Sequence, residues 1–336
     1  MKKNRPLITF VIPAFNKEYY IVPCIESILA QEYIDYEIVL VDDGSNDRTS
    51  QICDLYASIN NVKIIHKKNG GLVSARIAGC KLACGKYIAC VDADDWIDKK
   101  YILVLKKVIE EQNYPDIICF NFYEYKNEKI KETKEFSERL YNKKDIIEYI
   151  YPKLIHNDKA EYFSPSLCNK IFKNDLYINN QIKINKKITI GEDGACLIPC
   201  VYNAKRIVSI SNCLYYYRIN DYSMTNNKRE YMWNYPLYIY KQIKEMVNIS
   251  EYGFEEQLYR KTTHDIFTVI VSKFNSNKSY FNTKSEILDL LCIAEYSECI
   301  EKASFNKYSL ANLMLFVLKK RLIFVTYIYY IFKKLF

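Results

Sequence analysis

Three aspartates, Asp92, Asp94 and Asp95, directly follow the apolar stretch 86–91 and carry the clearest chemical potential in this chain. The stretch is short and rich in β-branched and aromatic side chains, which predicts a buried strand. Carboxylates at the end of such a strand cost free energy unless a cation or hydrogen-bond donors face them. Oxygen ligands of this kind suit Mg²⁺ or Mn²⁺, which in turn can hold a diphosphate. The alternative is that these residues cap a helix beginning near Asp98.

A second acidic pair, Asp42 and Asp43, follows the apolar stretch 36–41. One of these carboxylates can accept a hydrogen bond from the imide N–H of uracil, which would select the base of a nucleotide. The alternative is that the pair turns the chain and caps the helix that follows. Phe15, which comes after the first predicted strand, could border the base or belong to the core.

Two arginines and one further acidic pair complete the candidate residues. Arg76 lies near a predicted helix start behind a Gly-Gly pair, where amide N–H groups and a guanidinium could meet phosphate, or it could simply be solvated. Glu192 and Asp193 precede an apolar helix, so they could cap it, or one could act as a general base toward a hydroxyl. Arg218 could neutralise a departing diphosphate or pair with an acidic residue on the surface.

The first 120 residues alternate between strand and helix patterns with short connections, which predicts a parallel sheet covered by helices. Ligands of such sheets bind beyond the carboxyl ends of the strands. The loops 13–18, 42–45 and 92–95 would therefore converge on one edge. The predicted strands are 7–12, 36–41, 62–65, 86–91 and 116–121, and the predicted helices are 19–31, 49–58, 73–84 and 98–112.

The pattern changes in the second half of the chain. Residues 122–163 are charged and less regular, with a helix predicted near 143–154, and a strand is predicted to end at 214–218. Beyond residue 228 the pattern becomes helical. We therefore predict one domain over 1–227 and a helical region over 228–336.

Composition restricts the class of partner and the compartment. With 336 residues, 49% of them hydrophobic and 26% charged, the chain is typical of a globular protein with a full core. The net charge of 48 − 40 = +8 favours anionic partners, but the basic residues are dispersed, so nucleic acid is not expected. Twelve cysteines without a Cys-x-x-Cys pair, and no long apolar run at the start, predict buried thiols in the cytoplasm.

The tail carries two apolar runs, 310–318 and 322–332, separated by three basic residues and followed by Lys333 and Lys334. Neither run reaches the roughly 18–20 residues that a membrane-spanning helix needs. The pattern favours a helix lying in the membrane interface at the inner face of the cell membrane, over 310–336. The alternative is a helix pair that packs on the catalytic domain or on a sister subunit.

Taken together and in order, the motifs resemble those of the family 2 inverting glycosyltransferases of the bacterial surface-polysaccharide type. The resemblance implies an α/β protein with the GT-A fold, in which a mostly parallel nucleotide-binding sheet is flanked by helices and followed by a helical C-terminal extension. It implies a nucleotide-binding half over about 1–121 and an acceptor half over about 122–227. The motifs that carry it are 11–16, 41–49, 69–71 with 75–76, 92–95 and 191–193.

The same resemblance implies residue roles. Asp94 and Asp92 would hold Mn²⁺ or Mg²⁺, and Asp193 would be the catalytic base. The segment of Arg218 and residues 223–225 would close over the diphosphate, and 168–172 would lie on the acceptor side, with cysteine at 168 where tryptophan is frequent. The residues expected to bind the nucleotide sugar are Pro13, Ala14, Phe15, Asn16, Glu18, Asp43, Gly71, Arg76, Asp92, Ala93 and Arg218.

The implied function is the metal-dependent, inverting transfer of a hexose-type sugar from a UDP-sugar to a hydroxyl of a glycan or lipid-linked acceptor in cell-surface polysaccharide synthesis. One alternative is a nucleotidyltransferase, which would need a glycine-rich basic loop after the first strand, and 13–18 contains no glycine. The other is a non-enzymatic, membrane-associated assembly protein with a vestigial nucleotide site.

Overall fold

The computed structural model describes residues 5–33, 35–219, 232–276 and 278–335. Residues 223–225, expected to close over a diphosphate, lie outside these ranges. The chain forms two compact units, one of residues 1–146 and 164–220 and the other of residues 147–163 and 221–336. The sequence predicts one boundary at 228, whereas the compact units divide at residues 220 and 221, and the second unit also includes the short stretch 147–163.

The first unit is built on one mixed sheet in the strand order β3-β2-β1-β4-β9-β6-β10-β5, with β7 beside β6 and β8 beside β10. Strands β1 to β4 run parallel, as the alternating pattern predicts, and β6 runs parallel to β10. Strand β9 is antiparallel to both of its neighbours, β4 and β6. The strands are β1 Ile8–Ala14, β2 Tyr36–Asp42, β3 Val62–His66, β4 Tyr87–Cys90, β5 Trp96–Ile97, β6 Ile117–Lys126, β7 Lys129–Thr133, β8 Arg139–Tyr141, β9 Lys170–Lys173 and β10 Ile207–Arg218.

Helices cover both faces of this sheet, so its central strands are buried throughout. Ile8, Phe10 and Ile12 of β1 pack in the main core with side chains of α1 and α4, whereas the intervening Val11 lies on the side of α3. Eight of the twelve cysteines are buried, as expected for core thiols. The helices of this unit are α1 Ile21–Leu29, α2 Thr49–Asp54, α3 Leu72–Leu82, α4 Tyr101–Glu111, α5 Lys143–Asp145, α6 Asn174–Gln181 and α7 Glu192–Asn203.

The helix predicted near 143–154 is confirmed in its extent, but its type changes along the chain. The structure has the short α5, then a π-helical turn over Ile146–Ile150 and a 3₁₀ turn over Tyr151–Lys153. Pro152 explains the change, because proline donates no backbone hydrogen bond and its ring clashes with the carbonyl four residues earlier. The wider π turn ahead of it avoids that clash.

The second unit is helical, as the pattern beyond residue 228 predicts. Gln257 of α9 joins the stretch 147–163 to it, because its side chain accepts from the backbone N–H groups of Ile155 and His156 and donates to the carbonyl of Tyr151. Among the helices that the structure describes, none is long and apolar enough to cross a membrane. The helices are α8 Tyr235–Met246, α9 Phe254–Lys273, α10 Tyr280–Leu290, α11 Ala294–Lys302, α12 Leu310–Lys319 and α13 Ile323–Leu335.

Candidate active site

The loop after β4 carries the three aspartates, and Asp95 anchors it to β10. Asp95 is 2% exposed and accepts hydrogen bonds from the Tyr215 hydroxyl and the Arg218 backbone N–H, both at 2.7 Å. The Tyr215 oxygen in turn accepts from the backbone N–H of Asp92. Burial, together with the charges of Asp92 and Asp94, raises the pKa of Asp95 well above its ordinary value. Asp95 is therefore a buried support for the loop.

The other two aspartates face cations supplied by the chain. The Asp94 carboxylate lies 2.5 Å from Lys17 Nζ, and the Asp92 carboxylate lies 3.3 Å from Arg76 Nη2. Burial raises the pKa of Asp92, and the nearby charges of Asp193 and Asp94 raise it further against the opposing effect of Arg76. Negative charge is thus concentrated at this sheet edge. Ala93, between the two, is buried.

Arg76 connects two of the predicted loops. Its guanidinium, carried by α3, is 2% exposed and pairs with both Asp92 and Asp193. Burial alone would lower the pKa of Arg76, but the carboxylates of Asp193 and Asp92 outweigh that effect and hold it well above the ordinary value. Its Nε is buried without a hydrogen-bond partner. The solvated surface position considered from the sequence is therefore wrong for this residue.

Asp193 lies in the first turn of α7, behind Gly191, whose φ of 72° is in the left-handed region. One carboxylate oxygen pairs with Arg76, and the other accepts from the Leu167 backbone N–H at 3.2 Å. Its neighbour Glu192 is partly buried, and burial together with the charge of Asp193 raises its pKa to about 7. Two acidic groups therefore stand side by side at the start of this helix.

Asp43 fastens the start of α3. It is 3% exposed, accepts from the Gly71 backbone N–H at 2.7 Å and from that of Gly70, and pairs with Lys67. Gly71 has a φ of 82°, and a side chain there would meet nothing within 4 Å, so backbone conformation alone accounts for the glycine. Because α3 also carries Arg76, Asp43 is linked through one helix to Asp92 and Asp193.

The loop after β1 is tied to the loop after β2. Asn16, at a positive φ of 53°, donates its backbone N–H to Ser45 and accepts from the backbone N–H of Asn46. Phe15 beside it is 42% exposed, whereas Pro13 and Ala14 are buried within β1. Glu18 pairs with Arg48, and its backbone N–H donates to Asp47.

Arg218 ends β10 next to the aspartate loop. Its Nε donates to the carbonyl of Asp94 at 2.9 Å, and its guanidinium lies over the rings of Trp96, Tyr125 and Tyr20 at 4.7, 5.1 and 5.3 Å. Cation–π contacts of this kind fix a guanidinium without neutralising it. The side chain is thus held beside the loop that carries Asp92 and Asp94.

The donor set at this edge fits a divalent ion that a ligand helps to coordinate. Within the described ranges, no group of three or more His, Cys, Asp or Glu side chains is arranged to hold a metal. Asp92 and Asp94 offer two carboxylates, and Mg²⁺ is commonly held by one or two carboxylates together with substrate phosphates. Burial raises the pKa of Asp92 and the charges of Asp193 and Asp94 raise it further, and a divalent ion would offset the contribution of those charges.

Sequence reasoning missed three residues of this site, Lys17, Lys67 and Tyr215, and it missed the buried role of Asp95. Lys17 lies in a predicted loop, so the convergence of loops 13–18 and 92–95 was the signal that could have paired it with Asp94. Tyr215 lies 120 residues beyond Asp95. Only the arrangement of β10 within the sheet brings the two together.

Comparisons with known proteins agree with this fold. The family model described as Glycosyl transferase family 2 matches residues 9–176. "Uncharacterized glycosyltransferase EpsJ" of Bacillus subtilis is 31% identical over 223 residues, which cover 66% of this chain and 63% of EpsJ. "Glycosyltransferase GlyA" of Streptococcus pneumoniae is 30% identical over 225 residues, covering 65% of this chain and 31% of GlyA. The match thus spans less than two thirds of either relative.

Among solved structures, the fold is similar to that of S. aureus TarS 1-349 in complex with UDP-GlcNAc. The TM-score is 0.69 at 20% identity, and the alignment covers 94% of this chain and 88% of the other. The complex of the same protein with UDP aligns with a TM-score of 0.66. With a family model that spans half of its residues and a sheet of this architecture, the chain belongs to glycosyl transferase family 2 and has the GT-A fold.

Proposed function

We propose that this protein transfers a hexose-type sugar, with inversion, from a UDP-sugar to a hydroxyl of a glycan or lipid-linked acceptor, in a reaction that depends on a divalent metal. One observation carries the proposal. Asp92, at the end of β4, and Asp193, at the start of α7, contact the same buried guanidinium of Arg76. A metal-binding carboxylate and a candidate base are thereby held at one edge of a nucleotide-binding sheet.

The donor is assigned to a UDP-sugar on two grounds. Similar folds bind UDP and UDP-GlcNAc in the TarS complexes. In this chain, Asp43 and the exposed Phe15 follow neighbouring parallel strands, β2 and β1. An ionised carboxylate accepts about four hydrogen bonds, and the Gly70 N–H is shared between both oxygens of Asp43, so one of these sites would be given up to the imide N–H of uracil. Phe15 would border the base.

The diphosphate end of the donor would meet Asp92, Asp94 and Arg218. Mn²⁺ or Mg²⁺ held by the two aspartates would neutralise charge growing on the departing oxygens. Arg218 is fixed by the Asp94 carbonyl and the Trp96 ring, so its guanidinium needs little reorganisation to face the same oxygens. Arg76 and Lys17 balance the carboxylates from within the protein.

Asp193 is assigned as the base. Its carboxylate would take the proton of the acceptor hydroxyl while the hydroxyl oxygen bonds to the anomeric carbon and the diphosphate departs from the opposite face. An α-linked donor then gives a β-glycoside. Arg76 and the Leu167 N–H hold the carboxylate in one orientation, and orientation is what a positioned base requires.

We place this reaction in cell-surface polysaccharide synthesis, at the inner face of the cell membrane. The order of motifs along the chain, which resembles that of glycosyltransferases of this type, supports the placement. The apolar and basic tail over 310–336 supports it further, because such a tail is typical of peripheral membrane contact.

The test is the variant Asp193→Asn, compared with native protein across a panel of UDP-sugars with Mn²⁺ and candidate acceptors. Loss of a positioned base costs roughly 10²–10⁴-fold in rate, so we expect transfer to fall by that factor. Binding of UDP, measured by calorimetry, should change by less than about three-fold, because the base acts on the acceptor.

Asp175→Asn is the matched control, since Asp175 is also an aspartate in the first turn of a helix, α6, and is exposed. It should keep native turnover. Native turnover in the Asp193 variant would exclude Asp193 as the base. UDP binding by native protein without hydrolysis or transfer of any donor would instead support the non-enzymatic alternative.

A further inference from the structure

Helices α12 and α13 expose a broad apolar surface, which we call the tail surface. On α12, Leu310, Leu313 and Phe316 are 85%, 56% and 52% exposed, and their spacing of three places them on one side of the helix. On α13, Phe324 and Phe332 are 61% and 58% exposed. Contiguous apolar surface of this extent is rare in a monomer that meets only water. Further exposed apolar residues of α13 are Val325, Ile328, Tyr329 and Ile331.

An open apolar cleft lies in the same surface. It has a volume of about 380 Å³ and is lined by Ala160 and by side chains of α9, α12 and α13, Lys333 among them. Leu313 of α12 and Tyr329 of α13 both line the cleft and remain exposed. The cleft and the tail surface are therefore one continuous apolar feature, with room for a chain of methylene groups.

Charge identifies what this surface fits. Residues 302–336 contain seven lysines and arginines and no aspartate or glutamate. The cations cluster at the C-terminal ends of the two helices, at 319–321 and 333–334. A second copy of the chain, packed through the same surface, would place these cations against identical cations, and like charges repel. Anionic lipid head groups, by contrast, complement them while the acyl layer below accepts the apolar side chains.

We propose that the tail surface docks on an anionic phospholipid bilayer, with α12 and α13 lying in the head-group layer and the cleft receiving acyl-chain carbons. None of the described helices can span a bilayer, so the contact is in the plane of the membrane. This inference deepens the proposed function by naming the surface on which the enzyme would work. The residues of the tail surface, however, belong to the second unit and are not part of the sugar-transfer site.

The experiment is co-sedimentation of full-length protein with two kinds of vesicle, pure phosphatidylcholine and phosphatidylcholine mixed with phosphatidylglycerol. We expect clear preference for the mixed vesicles. The triple variant Lys320→Gln/Lys333→Gln/Lys334→Gln should weaken that binding by roughly 100-fold, because each cation near an anionic surface contributes about five-fold. The control removes three exposed cations from the β6–β7 hairpin, Lys126→Gln/Lys129→Gln/Lys131→Gln, and should bind as native protein does.

The contribution of apolar side chains to vesicle binding is tested with the double variant Phe324→Ser/Phe332→Ser. The control is Leu103→Ser/Ile130→Ser, a pair in the first unit with similar exposure, 52% and 57%. All four side chains are exposed, so none of the substitutions removes a core contact. At high salt, where charge attraction is screened, the first pair should lose residual vesicle binding and the control should keep it. Thermal unfolding of each variant confirms that it remains folded.

Equal binding to neutral and anionic vesicles, or equal losses in test and control variants, would overturn the proposal. So would sedimentation showing that native protein is a dimer and that the phenylalanine variant is a monomer, because the surface would then join two copies. Sugar transfer is scored separately, with an acceptor free in solution. Vesicle binding without any transfer would count against the proposed sugar transfer alone, and transfer without vesicle preference would count against this inference and the membrane placement but not against sugar transfer.

Discussion

Arg76 serves two carboxylates at once, and this makes it the most informative single residue of the site. Its guanidinium is almost fully buried, whereas the Asp92 and Asp193 side chains are 34% and 28% exposed. The two carboxylates can therefore contact a ligand, whereas the Arg76 guanidinium that balances their charge stays buried. A buried cation of this kind fixes geometry more than it contributes net stability.

Replacing Arg76 with methionine tests this arrangement. The change leaves two carboxylates close together without their countercharge, so we expect the free energy of unfolding to fall by about 3 kcal/mol. Urea denaturation monitored by fluorescence measures it. Arg48→Met is the control, because Arg48 is 75% exposed in its pair with Glu18 and should change stability by less than about 0.5 kcal/mol. Similar values for the two variants would contradict the role assigned to Arg76.

Asp94 provides a residue-scale test of the metal. Calorimetry of UDP binding with Mn²⁺ should show Asp94→Ala weakened by at least about ten-fold, since even residues that only support a metal ligand matter by ten-fold or more. Without Mn²⁺ the variant and native protein should bind UDP alike. Asp98 lies in the same segment, where its side chain accepts from the backbone N–H of Lys100 and is hydrogen-bonded to the Tyr216 side chain, and Asp98→Ala should match native protein in both conditions. An Asp94→Ala variant with unchanged Mn²⁺-dependent binding would remove Asp94 from the metal site.

The candidate site could be predicted from the sequence only in part. Asp43, Asp92 and Asp193 stand out because each follows a recognisable strand or precedes a recognisable helix. The ion pair between Lys17 and Asp94 spans 77 residues, and the support of Asp95 by Tyr215 spans 120. No local pattern encodes which distant side chain fills a given position, so these partners required the fold.

At the scale of elements, the spacing of hydrophobic residues was sufficient to predict the strands and helices of the first 121 residues. Every predicted strand and helix there is confirmed within a few residues, because strands buried on both faces read as continuous apolar runs. The reversed direction of β9 could not be predicted, since strand direction depends on the path of the chain between strands. Strand β5 could not be predicted either, because two residues are too few to show the alternation of apolar and polar side chains.

The contact of α3 with β1 gives an element-scale prediction. A methyl group on Gly79 would lie 2.5 Å from a Val11 side-chain carbon, so Gly79→Ala should lower the free energy of unfolding by about 1–2 kcal/mol despite the better helix propensity of alanine. Gly194→Ala in α7 is the control, because its methyl would meet only Pro165 at 3.6 Å. Thermal unfolding should show a stabilised or unchanged control. A Gly79→Ala variant with unchanged stability would mean that β1 shifts to accommodate the methyl group at little cost in free energy.

At the scale of the whole molecule, the two compact units interleave along the chain. The stretch 147–163 belongs to the helical unit although it is flanked by residues of the sheet unit. Tyr151 in this stretch packs edge-on against Tyr252 and Phe254. The stretch therefore depends on residues that come about a hundred positions later.

Gln257 is the test of that dependence. Gln257→Leu would leave three buried backbone groups of the stretch 147–163 without partners, so we expect a loss of about 2–3 kcal/mol in the free energy of unfolding. Urea denaturation followed by circular dichroism measures it. Glu256→Leu, the exposed preceding residue on the same helix, should stay within about 0.5 kcal/mol of native protein. Equal stability of both variants would show that the stretch is held by other contacts.

The late position of β10 in the chain has a consequence for biosynthesis. Tyr215 and the Arg218 backbone are the groups that receive the buried Asp95, more than a hundred residues after it. While the ribosome is still making the segment between them, the Asp95 carboxylate lacks both of these donors and must stay hydrated. The nascent sheet therefore cannot bury Asp95 until residue 218 has left the exit tunnel, so the amino-terminal part of the site is completed by a strand that is made much later.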